Sequence, residues 1–276
     1  MNVRIRFAKY GAVKFIGHLD VMRYFQKAVR RAGLKIAYSQ GFHPHQIMSF
    51  ASPLGVGITS EGEYMDMELT AEYSPREIVE RLNETMADGF SVLSCRILPE
   101  PLNGRKRETA MSLVTAADYL VFEKQNSECK FPQSGKELRS EWCRFYGQKS
   151  IPVVKKVKKS NTETTVDLKP FLFGNGCLET VDSEMLAGVL PHTAGPDYYE
   201  LETIPDFAGE LKEFYKEKDC FYVPLRVSAG SADNIKPELV MEAFAHFLGF
   251  ENDDSLHWQI HRLDMYTGEA PDFKCL

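Results

Sequence analysis

The chain has 276 residues, 43% of them hydrophobic and 26% charged, with a net charge of −6, proportions that suit a water-soluble globular protein of two modest domains. No apolar run reaches the ~20 residues that a membrane-spanning helix needs, and the opening residues lack the apolar core of a signal peptide, so a cytoplasmic setting is expected. The six cysteines are widely spaced, with no C-x-x-C pair or zinc-type pattern, which predicts reduced thiols and no structural metal.

The net charge conceals segregation along the chain. Residues 1–50 hold nine Lys/Arg against one acid, Asp20, and residues 51–102 hold three against ten. Residues 103–160 hold thirteen against six, and the remainder holds eight against twenty-two. A basic block of this kind suits a cationic face for RNA or another anionic partner, or internal pairing with the acidic blocks.

In chain order, "VRIRFAKYG" alternates Val3, Ile5 and Phe7 with Arg4 and Arg6 and predicts a strand with one wet, basic face. Leu19, Met22, Phe25, Ala28/Val29 and Ala32 recur at helical spacing, with Arg23, Lys27, Arg30 and Arg31 elsewhere, and Gly33 suits the helix end. His18 and Asp20 open that helix. Asp20 suits either a cap or first-turn acid, or a carboxylate orienting the His18 imidazole.

The segment Tyr38 to Gly57, "YSQGFHPHQIMSFASPLGVG", is rich in turn and polar residues and predicts a shaped loop. On a strand His43 and His45 would share a face, but Pro44 between them favours a turn. With His18 they form a weak metal candidate, and with His18, Lys14 and Tyr38 they supply the ingredients of metal-independent RNA cleavage. A phosphate or base contact beside Tyr38, Ser39, Gln40 and Arg23 suits the basic surroundings better.

Strands are predicted in "QIMSFA" and "EYMDMEL". A helix follows from "SPREIVERLNETM", with Ser74 as N-cap, Pro75 at N1 and Glu77 at N3, and then a strand in "FSVLSCRIL". This strand-helix-two strands-helix-strand order is ferredoxin-like. It recurs more loosely from "ADYLVF": a helix capped by Ser134 and Glu137, strands in "IPVVKKV", "TTVDLKPFLF" and "FYVPLRVSA", a Pro237-started helix, and a strand in "WQIHRLDMY". The expectation is α+β: two ferredoxin-like (βαββαβ) domains, 1–101 and 113–276, joined by a polar linker over 102–112 that contains Arg105-Lys106-Arg107. An acidic insertion over about 174–219 is expected on the second domain.

Gly230 and Ser231 suit an ordinary turn or an anion-binding one, and neither a P-loop nor a dinucleotide fingerprint is present. Asp167, Lys169, His261 and Arg262 suit either the side between the domains or plain packing.

The run from Phe15 to Leu69, with "HLD" at His18 to Asp20, "RRAGL", "AYSQGF-x-P", "SFASPL" and "E-Y-x-D", resembles the bacterial radical-SAM-linked protein family. The likeness extends through "VDLKPFL", "SAGSADNIKPELV" and "IHRLDMY". Proteins of that family stand beside, or are fused behind, a cobalamin-binding-type radical SAM protein, and their gene neighbourhoods imply RNA metabolism or translation. The resemblance therefore implies a radical SAM partner. A radical SAM enzyme needs three closely spaced cysteines, which this chain lacks, so the expected role is a non-catalytic accessory with no cofactor of its own.

On this reading the accessory presents structured RNA, with no DNA or membrane partner. Arg4, Arg6, Lys14, Arg23, Lys27 and Arg30 are expected at phosphates, and His18, Asp20, Tyr38, Ser39, Gln40, His43 and His45 in a specific pocket. The alternatives are an endoribonuclease using His18, His43 and Asp20, and an adaptor that touches only the radical SAM protein.

Overall fold

The computed structural model describes residues 1–101, 107–123, 134–157, 162–174, 176, 196–201, 221–231, 233–250 and 258–276. The architecture is α+β, with helices packed on one large mixed sheet. The N-terminal half comprises β1 (Asn2–Lys9), α1 (His18–Arg31), β2 (Met48–Phe50), β3 (Thr59–Glu68), α2 (Pro75–Asn83) and β4 (Phe90–Leu98). Its strands lie in the order β4-β1-β3-β2, each antiparallel to its neighbours.

A short helix, α3 (Ala110–Leu113), leads into the C-terminal half. There follow β5 (Ala116–Glu123), α4 (Gly135–Tyr146), the β6 (Pro152–Val157) and β7 (Thr162–Asp167) hairpin, β8 (Leu172–Phe173), β9 (Tyr198–Glu200), β10 (Tyr222–Ser228), α5 (Pro237–Phe247), β11 (Trp258–Thr267) and β12 (Lys274–Cys275). Here the order is β11-β5-β10-β8, again antiparallel throughout. A parallel pairing of β11 with β3, His261 beside Thr59 and Arg262 beside Ser60, joins the halves into one sheet of ten strands among the described residues.

Local chemistry accounts for the element ends. Ser74 Oγ accepts from the Glu77 N–H at the start of α2, with Pro75 in the first turn, and Ser134 and Glu137 form a reciprocal capping box on α4. Gly33, at φ +68°, follows α1 in the left-handed conformation that a side chain resists. Gly62 has a different reason. A Cβ there would lie 2.5 Å from Asp264 Cα and 2.6 Å from the Leu263 carbonyl, so only glycine lets β3 and β11 approach.

Two apolar clusters fill the halves. Val3, Ile5 and Phe7 of β1 pack with Phe25 and Val29 of α1, Ile78 and Leu82 of α2 and Met65 of β3. Tyr119 and Val121 of β5 pack with Trp142 and Phe145 of α4, Phe244 of α5 and Trp258 of β11.

Four expectations need correction. The second face of β1 is not wet: Arg4 and Arg6 are buried, because Asp66 and the Glu61 carbonyl draw their charge inward. Leu19, assigned to the inner face of α1, is exposed, and Val21 takes the buried place. The linker region is structured from Thr109, which caps α3, while Ala110 is buried and donates its N–H to Asp66 Oδ2 at 2.7 Å; residues 102–106 lie outside the described residues. Finally, β9 sits within the span expected as an excursion on the second half, yet it pairs with β4 and adds Tyr199 and Leu201 to the N-terminal cluster. Residues 175, 177–195 and 202–219 of that span lie outside the described residues.

Candidate nucleic-acid interface

The surface of interest grows from α1. Its inner face carries Val21, Phe25, Ala28 and Val29, and the Phe25 ring meets Phe7 at 4.5 Å and Phe50 at 5.9 Å between centroids. That seam holds one side of the helix to the sheet, so the intervening Arg23, Lys27, Arg30 and Arg31 point to water. The Arg23 side chain is 67% exposed and lies 3.3 Å from Asp20 Oδ1. Arg30 and Arg31 donate to the carbonyls of Gln26 and Thr85. Lys14, in the 3₁₀ turn Gly11–Phe15 ahead of the helix, holds its ammonium 5.5 Å from the Phe15 ring centroid.

The loop of Tyr38 to Gly57 folds against this helix. Tyr38 and Gln46 form an antiparallel bridge, and inside it the Ser39 N–H donates to the His45 carbonyl at 2.8 Å. Ser39 Oγ accepts from the His45 N–H at 3.0 Å and lies 2.8 Å from His45 Nδ1. Residues 40–44 therefore form the closed tip of a small hairpin, turned by Gly41 at φ +116°. Buried Gln46 donates through Nε2 to the Gln26 carbonyl at 3.2 Å, which fixes the hairpin base beside α1. Further on, the Gly57 N–H donates to the Lys14 carbonyl at 2.8 Å, drawing the loop end to the 3₁₀ turn.

At the tip Phe42 is fully exposed, with no packing partner among the described residues, and Tyr38 is about half exposed. Gln40 and His43 are also exposed. Phe15, Leu19 and Val56 are exposed as well, on the segments that the Gly57–Lys14 bond brings together. A contiguous cluster of large apolar side chains left in water marks a binding surface, whereas one exposed singly is ordinary.

The expected site residues thus divide. Arg23, Lys27 and Arg30 lie on the helix face, Tyr38, Ser39, Gln40, His43 and His45 in the hairpin beside it, and Lys14 in the 3₁₀ turn ahead of the helix. Arg4 and Arg6 do not: Arg4 makes a two-pronged bond to Asp66 at 2.8 and 3.1 Å, and Arg6 donates to the Glu61 carbonyl at 3.0 Å. His18 turns its ring edge-on to Phe50 at 5.5 Å, while Asp20 engages Arg23, so the orienting carboxylate that a His18-centred nuclease needs is directed elsewhere. Among the described residues no group of three or more His, Cys, Asp or Glu is arranged to hold a metal, so His18, His43 and His45 do not converge on one.

Sequence reasoning missed Phe42, Phe15, Leu19 and Val56. The usable signal was Phe42 itself, an aromatic between Gly41 and His43-Pro44 where no apolar period continues. Leu19 gave none, because its spacing to Met22 mimics a core position.

Behind this surface the halves meet through buried charge. Arg262 donates to Glu63 Oε1 at 2.9 Å, to the Ser52 carbonyl at 3.1 Å and to the Tyr119 hydroxyl at 3.0 Å. Burial pushes the Glu63 carboxyl up, opposed by Arg262 and Ser60, and lowers the Lys9 ammonium nearby. On the opposite face of β3 the Tyr64 hydroxyl donates to Asp264 Oδ1 at 2.6 Å, and Arg6 lies 3.5 Å from Glu200. Arg226 grips Asp118 through two bonds, which Tyr266 joins at 3.0 Å. Thr59 Oγ1 lies 2.9 Å from His261 Nδ1, and burial pushes that imidazole down to about 4. His261 and Arg262 therefore do line the join between the halves. Asp167 and Lys169 instead fix local turns, Asp167 accepting from the N–H groups of Ile151 and Lys169.

A family profile described as an uncharacterized protein conserved in bacteria, DUF2344, matches residues 2–193. The chain belongs to DUF2344. The matched span contains α1, the hairpin and every residue of the exposed surface, so that surface lies inside the DUF2344 region. No curated protein matches the chain.

Proposed function

We propose that this DUF2344 protein is a non-catalytic RNA-binding accessory of a radical SAM enzyme, with α1 and the Tyr38–Gln46 hairpin as the RNA-binding surface. The observation that carries the reading is the placement of exposed Arg23, Lys27 and Arg30 beside a hairpin that ends in fully exposed Phe42. Cations that track phosphates next to an aromatic face that receives a base are the two parts of a sequence-tolerant RNA site. The radical SAM partner rests on the resemblance carried by "HLD", "RRAGL" and "SFASPL". Exposed Phe15, Leu19 and Val56, at the other end of α1, favour a protein neighbour there. Each half is read as ferredoxin-like, a reading supported by the shared orders β4-β1-β3-β2 and β11-β5-β10-β8.

The test is binding of purified protein to total tRNA and ribosomal RNA fragments across a salt series, with the same samples run on a denaturing gel. Affinity that falls steeply with salt while the RNA stays intact is expected. Cut RNA would replace the accessory with a nuclease. No binding at low salt would leave only the protein adaptor.

A further inference from the structure

We infer that the hairpin tip takes an unpaired nucleotide, its base stacked on Phe42, so that the ligand is single-stranded or loop RNA rather than a duplex. The inference rests on the RNA-binding reading above and narrows its substrate class.

Phe42 has no packing role that would explain it, since its side chain is wholly in water. Holding such a ring at a fixed tip is unfavourable by itself, because it keeps apolar surface hydrated. The hairpin nonetheless holds it firmly: the Tyr38–Gln46 bridge, the Ser39–His45 backbone bond and the Ser39–His45 side-chain contact close the ring of residues beneath it. The result is an aromatic face presented on a braced support.

Charge chooses the occupant. The hairpin base is bonded to Gln26, and Arg23 and Arg30 stand three residues before and four after it, on the same stripe of α1. Residues 1–50 contain Asp20 as their one acid, and it pairs with Arg23. Exposed Arg23, Lys27 and Arg30 stand on the helix beside the hairpin, while Glu68 of β3 bonds through its backbone to the hairpin flanks Ala37 and Ile47; an anionic ligand with a flat apolar face fits the helix cations and the ring together. An unpaired nucleotide has both properties. In a duplex the base faces are stacked on one another and sealed from a projecting ring, and an A-form helix offers side chains mainly sugar and phosphate. A duplex would use the arginines and leave Phe42 in water.

The experiment compares a fluorescent, unstructured RNA of ~12 nucleotides with the same sequence in a blunt duplex, at ~50 mM salt. Wild-type protein is expected to bind the single strand about tenfold or more tightly, Phe42→Ala to lose that preference with duplex binding unchanged, and Phe42→Trp to retain it. Arg23→Glu with Lys27→Glu should weaken both RNAs. Equal or tighter duplex binding by wild type, or a Phe42→Ala protein that still prefers the single strand, overturns the inference while RNA binding stands. If neither RNA binds, the RNA-binding reading fails and the inference with it. Phe42 is fully exposed, so its replacement does not threaten the fold.

Discussion

Arg4 and Arg6 on β1 and Arg23, Lys27 and Arg30 on α1 come from one basic stretch of sequence, yet the fold sends them in opposite directions. The α1 cations stand on the outer side of a helix whose inner side is seated on the sheet, so they remain hydrated and available to a partner. The β1 arginines occupy a sheet face that the chain itself covers. Arg4 reaches Asp66 and the carbonyl of Leu276 at the C-terminus, and Arg6 is 1% exposed. Charge counted along a chain therefore does not locate a binding face. Helical residues opposite the core face water by geometry, whereas the second face of a strand is wet only if nothing later in the chain returns to cover it.

The largest losses are expected at the buried arginines. Removing one partner of a buried ion pair leaves the other charged and dry, so Arg4→Ala and Arg262→Ala are each expected to cost about 3–5 kcal/mol, read by urea unfolding. A loss below about 1 kcal/mol in either would mean that Asp66 or Glu63 finds water, and the junction would not be a weld.

Acid sharpens the same contrast. The folded pKa of His261 lies near 4, below its ordinary 6.5, so the unfolded chain binds the proton more readily. Its contribution is therefore complete above pH ~6.5 and lost as pH falls towards 4, on the order of 3 kcal/mol. Across that window wild-type protein should lose more stability than His261→Asn. Parallel profiles for the two would remove His261 from the account.

The smallest effect is expected outside. Arg23→Ala should change unfolding stability by no more than about 0.5 kcal/mol, because its pair with Asp20 is exposed and screened. A larger loss would show α1 leaning on its outer charges, and the division between the two groups of arginines would fail.

Much of the secondary structure was legible in the chain. Period-two runs marked β1 and β3, and Ser74, Pro75, Ser134 and Pro237 announced helix starts, because these signals act between residues a few positions apart. The loop at 38–57 was recognisable from its turn residues, and its basic neighbours from composition. Phe42 as a ligand face was not, since nothing local distinguishes an exposed aromatic from one that a distant element will cover. Nor was the destination of β9, whose pairing with β4 joins residues a hundred positions apart.

By itself, then, the sequence determined an α+β chain, the capped helices and a cationic outer face on α1, all consequences of short-range periodicity and capping chemistry. Only the tertiary structure decided that Arg4, Arg6 and Arg262 lie inside, that β3 and β11 join the halves across Gly62, and that Phe42 stands alone in water. Burial and partnership depend on which remote segments return to a surface. That outcome is set by the packing of the whole chain and has no local signature.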